Sequence, residues 1–251
     1  MIDNITTRIN KLIYKYVFFI SIFATAVILF SLYGNIKQVK DRTLENVQQS
    51  ARTNFNKDLA FRLWASSHGG VYVKPTIKTP PSPWMAHLPN RDITTTDGQK
   101  LTLMNPAYMI REVMQDYSKL YDIQGRIVGV KYLNPDNKAN EWEEKAIEKF
   151  EKGLQELSEV VVKDNQRYFN YIRPMVMKQT CQKCHGHLGF KNGSIRGAIG
   201  VSVPMEIHFA SEAKVIKNII LSHLTILILG LMGLFIMAKR ARIQLLQREK
   251  D

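Results

Sequence analysis

The stretch RYFNYIRPMVMKQTCQKCHGHLGFKNGSIRGAIGVSVP, residues 167–204, decides the fold. We predict one strand from Arg167 to Pro174, then a loop broken by glycines, then a second strand from Ser194 to Val203. The loop holds the residues Cys181-Gln182-Lys183-Cys184-His185. This is the C-x-x-C-H pattern that is typical of covalent c-type haem attachment.

The spacing of this motif explains why it suits haem. Two thiols three positions apart can form thioethers with the two vinyl groups, and the adjacent histidine can ligate the iron on one face. We therefore expect Cys181 and Cys184 to attach one haem c per chain, with His185 as an iron ligand. A zinc site is disfavoured because the chain has 2 cysteines in all. A thioredoxin-like pair is disfavoured because glycines follow Cys184 where a helix would be needed.

Two long uncharged stretches flank this region, from Tyr16 to Ile36 and from Asn218 to Ala238. Both are long enough to cross a bilayer, and basic residues stand on the outer flank of each. The basic flanks predict that both ends of the chain are cytoplasmic. The haem motif then lies outside, as c-type attachment requires. A cleaved signal peptide is disfavoured because Ala24 and Ala26 lie inside the first apolar run.

The predicted organisation follows from these spans. We expect a cytoplasmic N-terminus (1–15), a transmembrane helix (16–36), an extracytoplasmic haem domain (37–215), a second transmembrane helix (216–238) and a short basic tail (239–251). A bacterial inner membrane with the haem domain in the periplasm is the expected location. The 13 residues after Ala238 are too few for a kinase or a methyl-accepting domain, so any output needs another chain.

The intervening sequence predicts an α+β domain. Apolar residues recur three or four apart after the first span, which indicates a helix continuous with it; they are Ile36, Val39, Leu44, Val47, Ala51, Phe55, Leu59 and Leu63. The remaining predicted elements are a loop (Lys74–Asp97), a helix (Ala107–Leu120), a strand (Gly125–Leu133), a helix (Asn140–Leu157) and a strand (Glu159–Val162). Another helix is expected to run from Met205 into the second span.

Composition excludes some functions. The net charge of +13 is spread along the chain, which is typical of a solvated surface or of anionic partners. No nucleic-acid motif accompanies it, so we expect no nucleic-acid partner. We also expect no enzymatic activity, because no cluster of acid and base residues accompanies the haem motif.

The C-x-x-C-H motif does not identify the second axial ligand of the iron or the residues that bind the haem propionates. His68 stands at the predicted end of the long helix before Gly69 and Gly70, and is either an iron ligand or an ordinary polar helix terminus. Other candidate ligands are His87, His187, Met85, Met175 and Met177. Arg173 and Arg196 lie on the strands that flank the loop, and either could bind a haem propionate or face solvent. We hypothesise that at least one of them binds a propionate.

The ordered motifs resemble the single-haem c-type sensor family, a domain of unknown function found in bacterial histidine kinases and chemoreceptors. They are Trp64 to Val73, Asn105 to Met109, Asn140 to Glu143, Tyr168 to Met175, Cys181 to Gly186 and Ile195 to Pro204. The resemblance implies a PAS-like antiparallel sheet with flanking helices between the two membrane helices. It also implies that His68 is the distal ligand, so that histidines hold the iron on both faces.

Two functions are compatible with these features. The first is a membrane-anchored periplasmic haem sensor that responds to redox state or to a small haem ligand and signals through a separate protein. The second is a tethered monohaem cytochrome c in electron transfer. The direct connection of both membrane helices to the domain favours the sensor. The expected partners are the membrane and a separate signalling or redox protein, with a homodimer as an open alternative.

Overall fold

The computed structural model of the chain describes residues 2–116, 118–120, 122–182 and 186–248. Its α-helices are α1 (Ile2–Ser67), α2 (Pro106–Asp116), α3 (Glu141–Glu151) and α4 (Glu206–Arg248). Its strands are β1 (Val71–Val73), β2 (Asp92–Thr94), β3 (Lys100–Met104), β4 (Gln124–Val128), β5 (Leu157–Lys163), β6 (Gln166–Val176) and β7 (Ile195–Pro204). Their contacts divide the chain into two units, Met1–Leu44 with Ile207–Asp251, and Glu45–Glu206.

The first unit holds the apolar parts of the two long helices. Helices α1 and α4 are long and apolar enough to cross a membrane, over Thr7–Ser67 and Glu206–Arg248. Large apolar side chains on them are exposed, as Phe23 (72%), Phe30 (80%) and Phe235 (63%) illustrate. Exposed apolar side chains of this kind are suited to contact with lipid. The backbone is suited to lipid as well, because a helix satisfies its own backbone hydrogen bonds. The two helices could therefore span a membrane.

The second unit is built on a four-stranded antiparallel sheet in the order β4-β7-β6-β5. Strands β6 and β7 form the long central pair, in which Arg173 lies opposite Ile199 and Met175 opposite Gly197. These are the two strands that the sequence predicted on either side of the C-x-x-C-H loop. Helices and an antiparallel sheet in this arrangement confirm the α+β fold class.

The two faces of this sheet pack against different helices. On one face, Ile172, Val128 and Ala198 form a buried core with Ile147 and Phe150 of α3. On the other face, the ring of Tyr171 meets the ring of Phe55 from α1 edge to face, with centroids 5.7 Å apart. Side chains alternate between the faces of a strand, so Arg173 shares the α1 face with Tyr171. The Glu45–Ser67 part of α1 is thereby fixed against the strands that lead to the loop.

A smaller sheet in the order β1-β3-β2 was not predicted from the sequence. The prediction of a continuous loop from Lys74 to Asp97 is therefore wrong in part, because β2 and a 3-10 turn at Pro83–Met85 lie within it. Met85 from this turn is 1% exposed. Strands β1 and β2 have three residues each, too few to display an alternating pattern.

Three predicted boundaries are also wrong. The helix predicted from Asn140 to Leu157 begins with an Asn140–Glu143 capping box but ends at Glu151, since Gly153 adopts φ +101° and turns the chain into β5. The strand predicted from Gly125 to Leu133 ends at Val128 as β4. The helix predicted from Ala107 to Leu120 ends at Asp116, with a 3-10 turn at Ser118–Leu120.

Candidate haem-attachment site

The C-x-x-C-H loop is the connection between β6 and β7. Its base is closed by backbone hydrogen bonds from Met177 N to Ser194 O and from Gly193 N to Met177 O, each 2.9 Å long. Cys181 ends a 3-10 turn that begins at Gln179, and it is a free, partly buried cysteine. Cys184 and His185 lie outside the described residues, so their predicted roles in attachment and iron ligation stay predictions.

Amide side chains brace the described part of this loop from within. Gln182 donates from Nε2 to the carbonyl oxygen of Phe190 and to Oδ1 of Asn192, each at 3.2 Å. Asn192 in turn donates from Nδ2 to Oε1 of Gln179 at 2.5 Å. These bonds tie the residues before the motif to those after it. The loop is thus held by its own polar side chains.

Arg62 of α1 contacts Cys181, a feature that the sequence analysis missed. Burial lowers the pKa of the Arg62 guanidinium, and a hydrogen bond and electrostatic attraction to Cys181 act in the opposite direction. The Nε atom of Arg62 is buried and has no hydrogen-bond partner among the residues that the structure describes. A partly buried cation, whose buried Nε has no partner among the described residues, therefore stands directly beside Cys181, the first cysteine of the motif.

His68 follows Arg62 by six residues, a rise of about 9 Å if the helical geometry is extended to it. Its Nδ1 lies 2.9 Å from the carbonyl oxygen of Trp64. A carbonyl oxygen can only accept, so Nδ1 carries the proton and donates, which leaves the lone pair of the neutral ring on Nε2. Histidines that bind metal commonly donate their other ring nitrogen to a carbonyl in this way. The exposed His68 side chain is therefore in the tautomer that an iron ligand needs.

The buried face of α1 leads from the core to this site. Val47, Ala51 and Phe55 are buried, and the same face continues through Asp58, Arg62 and Ala65. Asp58 is 3% exposed, and burial raises the pKa of its carboxyl group while Lys57 lowers it. Charged residues thus replace apolar ones where the helix approaches Cys181.

Arg173, one of the two predicted propionate partners, packs under α1. Its guanidinium carbon lies 5.2 Å from the centroid of the Phe55 ring, a distance suited to a cation–π contact. The hydrogen bond of 2.5 Å that Tyr171 donates to Glu156 lowers the pKa of that carboxyl, and Arg52 and Arg173 lower it further. Arg173 therefore faces the α1 side of the sheet rather than open solvent.

Arg196, the other predicted propionate partner, lines a separate cleft at the β4 side of the sheet. Its Nη2 lies 3.7 Å from the sulfur of Met175. Neither Cys181 nor His68 lines this cleft. The structure thus brings Arg62 to Cys181, with His68 just past the end of the same helix, and gives Arg173 and Arg196 different surroundings.

The described residues fit the group that the motif implies. Covalent haem c requires a thiol, imidazole ligands and cationic or donor groups for its anionic edge. The site offers the Cys181 thiol, an imidazole with a free Nε2 lone pair, and a partly buried guanidinium whose buried Nε has no acceptor among the described residues.

Comparison with known proteins identifies the family. The model of the Tll0287-like family matches residues 39–204, well over half of the chain. The crystal structure of the cyanobacterial haem protein Tll0287 is similar at 15% sequence identity and a TM-score of 0.41, over 64% of this chain and 95% of that one. No curated protein matches the chain. The family match confirms the resemblance predicted from the sequence motifs, and the chain belongs to the Tll0287-like family.

Proposed function

We propose that this protein is a membrane-anchored haem c sensor that reports redox state or a small haem ligand to a separate partner protein. The contact between Arg62 and Cys181 carries the proposal, because Arg62 stands on the helix that ends one residue before His68 and touches the loop of the C-x-x-C-H motif. Membership of the family named after the haem protein Tll0287 supports haem as the ligand.

Each residue of the proposed site has a definite task. Cys181 and Cys184 would attach the haem, while His185 and His68 would hold its iron from opposite faces. The haem would supply one-electron redox chemistry and an iron that can bind a small ligand. The Trp64 carbonyl keeps His68 in the ligating tautomer through Nδ1. The positive charge of Arg62 would favour the ferrous over the ferric state of the haem iron, because the ferrous state is less positive.

Helix α1 offers a route from the site to a partner. The same helix, Ile2–Ser67, carries an apolar segment long enough to cross a membrane and, at its end, the turn that precedes His68. A bond gained or lost at His68 would act directly on the end of that helix. We propose that the haem domain is periplasmic, that both helices anchor it in a bacterial inner membrane, and that the domain itself performs no catalysis.

Covalent attachment is tested first. In the Cys181→Ala/Cys184→Ala double variant, haem staining of a denaturing gel should disappear, because both thioethers are lost. Gln182→Ala is the matched control in the same loop and should keep its stained band. A band of unchanged intensity in the double variant would end the proposal.

The sensor role is tested at His68. The wild-type protein should be six-coordinate and low-spin when oxidised, and His68→Ala should become high-spin and bind carbon monoxide or cyanide. His87→Ala, a histidine of the segment between β1 and β2, should keep the wild-type spectrum. Resonance Raman spectra of both redox states should show ligation that changes on reduction. Identical bis-histidine ligation in both states would refute the ligand switch and favour a tethered electron-transfer cytochrome.

A further inference from the structure

Strand β5 (Leu157–Lys163) forms one edge of the four-stranded sheet, beside β6. It pairs with β6 along all 7 of its residues, and no other backbone hydrogen bond reaches it from the residues that the structure describes. A free strand edge is a template for another strand. We propose that β5 pairs antiparallel with β5 of a second copy of this chain, with Val161 on the two-fold axis.

The free edge of β5 carries few of the features that protect exposed strands. Its sequence, LSEVVVK, has no proline, and its register with β6 is unbroken by a bulge. Val160 is 44% exposed and Val162 is 70% exposed. Both valines lie on the same face of the sheet, because side chains alternate along a strand. Exposed apolar side chains on an unpaired edge are typical of a strand that another strand covers.

The backbone of β5 limits the registers in which a second copy can pair. A two-residue turn, 164–165, with positive φ at both residues, places Lys163 opposite Gln166. This turn makes them a hydrogen-bonded pair, and such pairs alternate with non-hydrogen-bonded ones along an antiparallel ladder. The backbone N–H and C=O groups of the even-numbered residues of β5 therefore face the free edge. A second copy must pair its own even-numbered residues with them.

Charge selects one of the allowed registers. With Val161 on the axis, Glu159 of each copy stands opposite Lys163 of the other, and the two-fold symmetry forms this ion pair twice. Val160 then stands opposite Val162. An axis at Glu159 would oppose two glutamates, which is unfavourable, and an axis at Val160 or Val162 would form no ion pair. Within one chain, Glu159 and Lys163 are about 13 Å apart along the strand, too far to pair with each other.

Both charged residues are available for this pairing. Lys163 is exposed and forms no ion pair with the residues that the structure describes. Glu159 is also exposed and accepts a hydrogen bond from Nε1 of Trp142 through Oε2, so that Oε1 remains for a lysine. Exposed ion pairs add little affinity but determine register, while the backbone ladder and the valine pairs supply most of the attraction. The pairing does not depend on the proposed sensor function.

Disulfide formation in the full-length protein, with its haem, in membrane vesicles tests the position of the axis. After mild oxidation, Val161→Cys should give a dimer band on a non-reducing denaturing gel. Residues on the axis bring their Cα atoms about 4.5 Å apart, which suits a disulfide. Val160→Cys and Val162→Cys are the matched controls, because each position lies about 9 Å from its own copy in this register. Both should give no more dimer than the wild-type protein, which measures disulfides of the native cysteines.

Charge reversal in the Val161→Cys protein tests the ion pairs. Lys163→Glu should lower the dimer band at least about fivefold, because each ion pair becomes a like-charge pair. Adding Glu159→Lys should restore most of the band, because the exchange recreates both ion pairs and also shows that the variants fold. Lys100→Glu makes the same charge change at an exposed residue of β3 and should leave the band unchanged.

Three results would overturn the proposal. The three valine variants would give equal dimer bands if the copies met at random. A Val161→Cys protein with no dimer band above the wild type would leave this edge to a different chain. A charge exchange that fails to restore the band would refute the register. Haem staining of the cysteine variant is a separate readout, so failure here leaves the sensor proposal standing.

Discussion

Replacement of Phe55 by alanine tests whether the packing of α1 on the sheet holds the site together. Phe55 is 2% exposed and lies between the Tyr171 ring and the Arg173 guanidinium. Truncation of a buried phenylalanine to alanine typically lowers the free energy of unfolding by about 3–5 kcal/mol, through lost burial and the cavity left behind. We expect Phe55→Ala to fall in that range. The loss should also loosen the helix end that precedes His68.

Phe61→Ala is the matched control, because Phe61 stands on the same helix but is 53% exposed. It should change the free energy of unfolding by less than about 1 kcal/mol. Both values come from denaturant titrations in detergent, followed by tryptophan fluorescence. Equal losses in the two variants would refute the assigned buried face of α1. A loss for Phe55→Ala below about 1 kcal/mol would refute the packing argument itself.

Three further predictions concern single residues of the haem domain. Arg62→Met should lower the midpoint potential of the haem and Arg62→Lys should not, because the partly buried positive charge favours the ferrous state; a shift of about 59 mV corresponds to a tenfold change in the ferrous-to-ferric ratio. Gly197→Ala should lower the free energy of unfolding by about 1–3 kcal/mol, since its Cβ would lie 2.2 Å from the Val128 carbonyl oxygen. Gly200→Ala is the control, because its Cβ would lie 3.5 Å from the Tyr171 carbonyl oxygen, an ordinary contact distance, and equal effects would contradict the argument. Asp58 has a raised pKa through burial, so the folded protein binds its proton more tightly than the unfolded chain does. Its contribution to stability should fall as pH rises from 3.8 to the raised value, and unfolding titrations of Asp58→Asn should lack that slope and show a more stable protein at neutral pH.

The sequence predicted the central part of the fold for physical reasons. Strands β6 and β7 have 11 and 10 residues, long enough to display their pattern on either side of the loop. The Asn140–Glu143 capping box marked the start of α3. The end of α3 was missed because Gly153 ends the helix through a positive φ, and the following residues still suit a helix. The three-stranded sheet was missed because its strands are short and lie among prolines.

The sequence predicted only those residues of the candidate site whose type is itself associated with haem attachment or iron ligation. The C-x-x-C-H motif identified Cys181, and position at a helix end singled out His68. Arg62 was missed because the apolar stripe was extended through Leu59 and Leu63, whereas Leu63 is 40% exposed and the buried face runs through Asp58 instead. The spacing after Val47, Ala51 and Phe55 leads equally well to residues 58 and 62. Asp58 and Arg62 were not recognised as part of the buried face because they are charged.

The two charges on the buried face of α1 separate the structural part of this helix from the part that serves the site. A helix that only covers a sheet would carry apolar residues at Asp58 and Arg62, because removing a charge from water is costly even when it is paired, as Asp58 is with Lys57. Arg62 instead contacts Cys181, and the proposed role of that loop in haem attachment would explain its charge. Substitutions along this face should therefore divide into two groups. Those at Val47, Ala51 and Phe55 should change the free energy of unfolding, whereas Arg62→Met should change the haem potential more than the stability. If Arg62→Met altered stability alone, the charged turn would be part of the core, and α1 would carry no tuning residue for the haem.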